Sequence, residues 1–162
     1  MDGTKWAMTG LAVAMLTACA ANGDGGHAGH GNAGAGTAPA DARVAVRFPA
    51  QMRAHTLANM RDHLAALAEI QAALAGERFD EAARVAESRL GMSSLERHDA
   101  RHVAGYMPEG MQAAGTRMHR VASRFAVKVQ EASVTRDLRA PLSLLHELTQ
   151  TCVACHAAYR LE

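Results

Sequence analysis

Four stretches of this chain repeat their apolar residues in steps of three and four, and none alternates them in steps of two. Steps of three and four gather side chains on one face of a helix, whereas a half-buried strand needs a period of two. The first stretch opens at Pro49, whose fixed φ suits the first turn of a helix. It carries Met60, Leu64, Leu67 and Leu74, with Leu57 and Ile70 beside them, and stops at Gly76. A second helix is predicted from about Asp80 to Leu90, with Ala82, Ala83, Ala86 and Leu90 inward and Gly91 ending it. Pro108 opens a third, with Met111, Gly115, Met118, Ala122, Phe125 and Val129 as its inward stripe. The fourth begins between Asp137, placed to cap it, and Pro141. Leu138, Leu142, Leu145, Thr149, Cys152 and His156 continue the same alternation. Residues 92–107 form a connector, in which Ser93 and Glu96 match a capping box and so predict a short helix. Hydrophobic residues make up 49% of the chain but aromatics only 4%, and alanine, leucine and methionine favour helix over sheet. The predicted fold is all-α, an antiparallel four-helix bundle over residues 48–162.

The N-terminal segment reads as an address rather than as structure. Lys5 supplies a short positive region, and the apolar run from Trp6 to Ala18 is too short for a stable bilayer span. The pattern is that of an export signal over residues 1–18. It ends in Leu16-Thr17-Ala18-Cys19, which resembles a bacterial lipobox. That resemblance implies a mature chain that starts at a lipid-bearing Cys19, and Ala20 in place of aspartate implies the outer membrane. The alternative is an ordinary signal cleaved near Ala18 or Ala21, with Cys19 incidental. Residues 19–47 are expected to be a flexible tether, since their Gly- and Ala-rich run cannot build a core. His27 and His30 within it read as solvated linker residues rather than as a metal site. The formal net charge is +1, and no basic patch is interleaved with aromatics, so nucleic acid is not an expected partner.

Of three cysteines, one is Cys19 and two sit three apart near the C-terminus, which is not a disulfide framework. Cys152-Val153-Ala154-Cys155-His156 has the spacing of a covalent haem-attachment site. At about 100° per residue, a helix places the two cysteines roughly 60° apart on one face. Both thiols can then reach the vinyl groups of one porphyrin, and the adjacent His156 can ligate the iron as the usual proximal histidine. A redox dithiol would want a strand–helix context, and a zinc site would want further ligands. Six residues follow His156 and none is methionine, so a sixth iron ligand is expected from an earlier helix.

The run Cys152-Val153-Ala154-Cys155-His156-Ala157-Ala158-Tyr159-Arg160 resembles the C-terminal signature of the cytochrome c prime family. The resemblance covers residues 48–162, strongly at the C-terminus and weakly in the middle. It implies four antiparallel helices with haem c on the last. Arg53, Leu57 and Met60 resemble that family's arginine, distal apolar residue and following methionine. The family includes five-coordinate members under an apolar distal residue and six-coordinate, low-spin electron carriers with a first-helix methionine. Met60 is the leading candidate here for a sixth ligand, because thioether sulfur is soft and a Met/His pair raises the potential; core filling is the alternative. Leu57 capping a five-coordinate iron is the rival. Met52, His55 and His63 are weaker candidates, and Met111 and Met118 are assigned to the core. Arg160, one turn beyond His156, is a candidate to tune that histidine or cover the haem edge. Arg53 is a candidate partner for a haem propionate. His98 and His102 have chelating spacing, but in a charged connector they read as solvated.

The expected function is electron transfer between exported redox partners by a periplasmic protein anchored to the membrane through Cys19. The alternative is a five-coordinate protein that binds NO or CO, and a third reading is a structural lipoprotein whose haem staples the bundle. A second copy of the chain is a further candidate partner. No nucleophile–base pair and no distal His/Arg pair accompanies the motif, so no enzymatic activity is expected.

Overall fold

A computed structural model describes residues 40–162. Its elements are a strand β1 (Val44–Val46), helices α1 (Ala50–Ala75) and α2 (Phe79–Arg89), a 3-10 turn (Met92–Ser94), a short helix α3 (Ala100–Ala104), helices α4 (Glu109–Thr135) and α5 (Arg139–Ala158), and a strand β2 (Tyr159–Leu161). Pro49 and Pro108 stand immediately before α1 and α4, where a missing N–H removes a donor that would have no helical partner. Gly76 ends α1 with its N–H bonded to the Ala72 carbonyl. The corners that follow α1 and α4 are turned by non-glycine residues, Glu77 (φ 55°) and Arg136 (φ 59°). An ion pair of 3.0 Å joins these two residues, and Arg136 also lies over the Phe79 ring at 5.2 Å.

Helix α1 packs on α2, α2 on α4, and α4 on α5. The core along these contacts is centred on Ile70, Leu90, Val121, Phe125, Val129 and Leu148. Arg89 is half-buried at the α1–α2 seam, where it pairs with both Asp62 and Glu69 of α1. A smaller cluster of Val46, Phe48, Met52, Val103 and Met111 lies beneath the strands. There β1 and β2 run parallel, with Val44 opposite Tyr159 and Val46 opposite Leu161.

Several expectations shift. The two short strands are absent from the periodicity reading, because three residues are too few to display a period of two. Val46 and Phe48 are buried, so the folded unit begins ahead of residue 48. The buried face of α1 is Met52, Thr56, His63, Ala66, Ile70, Ala73 and Leu74, while Leu64 is 68% exposed. On α5 the buried residues are Pro141, Leu145, Leu148 and Thr151, and Leu142 and Thr149 face outward. The stripe of α4 holds as read, with Gly115 half-buried. The expected capping box does not form: the Ser93 N–H and hydroxyl both bond the Glu87 carboxylate. Asp137 does serve the start of α5, accepting the Arg139 N–H at 2.9 Å. No helix among the described residues is long and apolar enough to cross a membrane. The expected signal, the lipidation at Cys19 and the pair His27 and His30 lie outside the described residues.

Candidate functional site

One face of α1 carries Arg53, Leu57, Met60, Leu64 and Leu67 in steps of four and three. This stripe, whose apolar members were expected to face inward, lines a cavity of about 450 Å³. The opposing helix α5 contributes Thr151, Cys152, Cys155 and His156, with Tyr159 just beyond. Helix α4 adds Met111, Gly115, Met118 and His119, and the connector adds His98, Val103 and Met107. A Cβ added at Gly115 would meet nothing within 4 Å, so α4 presents open space there. Most of the surface that lines it is apolar, which suits an apolar occupant.

Cys152 and Cys155 are free, half-buried thiols. Burial raises both pKa values, so they are protonated at neutral pH. A redox dithiol is ordinarily activated in the opposite direction. His156 is exposed at the cavity. Its carbonyl accepts a 3.4 Å hydrogen bond from Arg43, whose guanidinium also pairs with Asp41 at 2.7 Å. That guanidinium holds the Asp41 carboxyl down at about 2. In the sequence Arg43 has no assigned role, and Tyr159 only a place in the C-terminal signature, because each joins the site through the β1–β2 pairing, which the periodicity does not reveal. The Tyr159 hydroxyl sits where a side chain at Gly110 would stand.

Arg53 is exposed at the cavity and has no carboxylate partner among the described residues. Arg160 is placed elsewhere: it pairs with Glu162 at 2.8 Å and Asp41 at 3.5 Å, and it does not line the cavity. Met52 is buried in the smaller cluster. The His55 ring donates to the His98 carbonyl at 3.1 Å, so it is engaged rather than solvated. His98 and His102 do not form a chelating pair. His102 is exposed and bonds Asp99, whereas His98 is only 5% exposed and packs against His63 and His119. The charges of Arg97, Asp99 and Arg101 disguised that burial in the sequence. His119 was detectable only as the neighbour of the inward Met118.

The donor set is two neutral thiols one turn apart, an imidazole beside them, and on the helix opposite a thioether and a guanidinium with no carboxylate partner among the described residues. Chemically it can hold a flat apolar group through two sulfur bonds, offer nitrogen and sulfur ligands, and meet an acidic edge with arginine. No protein-family model, no curated protein and no solved structure matches the chain.

Proposed function

We propose that this protein is a c-type cytochrome that passes single electrons between exported redox proteins, with one haem c attached through Cys152 and Cys155. The observation that carries this reading is that Cys152, Cys155 and His156 open onto the same apolar cavity as Met60. On this reading α1, α2, α4 and α5 form the antiparallel four-helix bundle that the cytochrome c prime resemblance implies, with the haem between α1 and α5. That placement agrees with the way those two helices border the cavity.

The residues fit the group. Thiols suit thioether formation with vinyl groups, and His156 suits the proximal position. Met60 would be the sixth ligand, Arg53 would meet a propionate, and Leu57, Leu67 and Met118 would keep water from the iron. A bound haem supplies a one-electron ferrous/ferric couple, whose potential is set by the axial ligands and the burial around them. Arg160, tied to Asp41 and Glu162, acts by fixing β2 beyond His156 rather than by covering the haem. Cys19 anchors the exported chain to the membrane, with the outer membrane favoured, and the protein is not an enzyme.

The second reading, a five-coordinate protein that binds NO or CO, has one observation in its favour. Leu57 lines the same wall as Met60, one turn away, and could cap the iron instead. The visible spectrum of the ferrous protein separates the two: low-spin and unreactive to carbon monoxide for Met60 ligation, high-spin and reactive for a Leu57 cap.

A further inference from the structure

His63 of α1, His98 of the connector and His119 of α4 are each nine-tenths buried, at 7%, 5% and 8% exposure. Their ring centroids lie 4.7, 5.5 and 6.3 Å apart. Nε2 of His63 and Nε2 of His98 are buried with no hydrogen-bond partner, and such orphans need a physical reason. The far-side hydrogen bonds of His98 and His119 show which nitrogen of each ring carries a lone pair. Nδ1 of His119 is 2.7 Å from the Leu90 carbonyl, which only accepts, so Nδ1 carries the hydrogen and Nε2 a lone pair. Ser94 uses its hydroxyl hydrogen on the Gly91 carbonyl at 2.7 Å. Its oxygen therefore accepts from Nδ1 of His98 at 3.4 Å, which again leaves Nε2 as a lone pair. Metal-ligating histidines are oriented in this way, with the outer N–H tied to a carbonyl or another acceptor.

We propose that His63, His98 and His119 form a second site, for a borderline transition-metal cation of the Zn2+ or Cu+ class. Three neutral imidazoles suit these ions, and the absence of oxygen ligands from the trio disfavours Ca2+ and Mg2+. Metal–nitrogen bonds of about 2.0–2.1 Å at tetrahedral angles put ring centroids roughly 5 Å apart, close to the His63–His98 and His98–His119 spacings and shorter than the His63–His119 spacing. The donors are not drawn together as they stand: among the described residues no group of three His, Cys, Asp or Glu is arranged to hold a metal ion. Closing the site takes rotation of the rings about their broad terminal torsions. Three protein ligands leave a fourth position for water or a small ligand from the adjoining cavity. Burial also keeps the rings neutral and ready to ligate, with His63 and His98 at about 4. The site does not require haem.

The test uses the full chain, in a His27→Ala/His30→Ala background so that the N-terminal histidines do not contribute. After dialysis against Zn2+, metal and haem iron are counted separately by mass spectrometry. One zinc per chain is expected, with three nitrogens at about 2.0–2.1 Å by zinc-edge X-ray absorption. His98→Ala should weaken retention at least tenfold. Ser94→Ala should weaken it about 10–100-fold through loss of ring orientation. If His98→Ala fails to fold by circular dichroism, the absorption spectrum of the His98-containing chain decides. Zinc without haem supports this site while refuting the cytochrome reading. No bound zinc, or zinc retention insensitive to His98→Ala in a folded protein, overturns it. So does a bis-histidine haem spectrum lost in His63→Ala, which would assign that ring to iron.

Discussion

Met60 of α1 and His156 of α5 line one cavity from two helices that share little direct packing with each other. Thioether and imidazole thus border a single space, carried by elements whose main contacts lie elsewhere, α1 on α2 and α5 on α4. The residues that line this space between them can therefore be changed with limited damage to the core.

Met60→Ala tests this separation. The substitution should convert the ferrous iron from low to high spin, lower its potential and open it to carbon monoxide. Met60 is only half-buried, so the stability loss should be about 1–2 kcal/mol, below that of a fully buried methionine. Spectra and urea melts of the same sample measure both effects. An unchanged spectrum would remove Met60 from the iron.

Arg89→Ala should destabilise the fold by about 1–2 kcal/mol in urea melts, because one guanidinium ties α2 to both Asp62 and Glu69 of α1. Arg89→Lys should recover only part of this, since a point charge cannot reproduce the forked geometry. Full recovery by lysine would show that charge alone matters there.

Stability should depend on pH in a defined window. Burial, reinforced by the neighbouring imidazoles, holds His63 and His98 at about 4, against an ordinary 6.5. Asp62 opposes the shift, while Arg89 and Arg97 add to it. Between those values the unfolded chain binds more protons than the folded one, so stability rises with pH across the window. Chelator-treated protein should lose stability progressively as pH falls from about 6.5 to about 4. His98→Gln should flatten that slope, and an equal slope in the variant would locate the titration elsewhere.

Palmitate-analogue labelling should tag the native chain, and Cys19→Ala should lose the tag and be released as a soluble species. An unmodified mature N-terminus elsewhere would refute the lipid anchor.

The helices were legible because Pro49, Gly76, Pro108 and the three–four alternation are local signals. Which face of a helix meets which neighbour was not. Leu57, Met60, Leu64 and Leu67 form a sound apolar stripe, yet α1 has a second stripe through Ala66, Ile70 and Ala73 that packs the core. Small alanines conceal that face from a hydrophobicity pattern, although they permit the closest helix approach. The cysteines and His156 were legible as a motif, and their shared cavity with Met60 agrees with that reading. His98 and His119 were not, since burial of a polar ring depends on residues far away in sequence. Arg160 was misplaced because the chain leaves the helix at Tyr159, and extended backbone turns its side chain toward Asp41.

The most direct measurement of the central claim is haem staining of the protein after denaturing gel electrophoresis, paired with a pyridine haemochrome spectrum. The account predicts one c-type haem per chain that survives denaturation and is lost when Cys152 and Cys155 are both changed to alanine. A haem that acid acetone extracts from the native sequence, or a chain expressed with haem-attachment machinery that carries none, would contradict it.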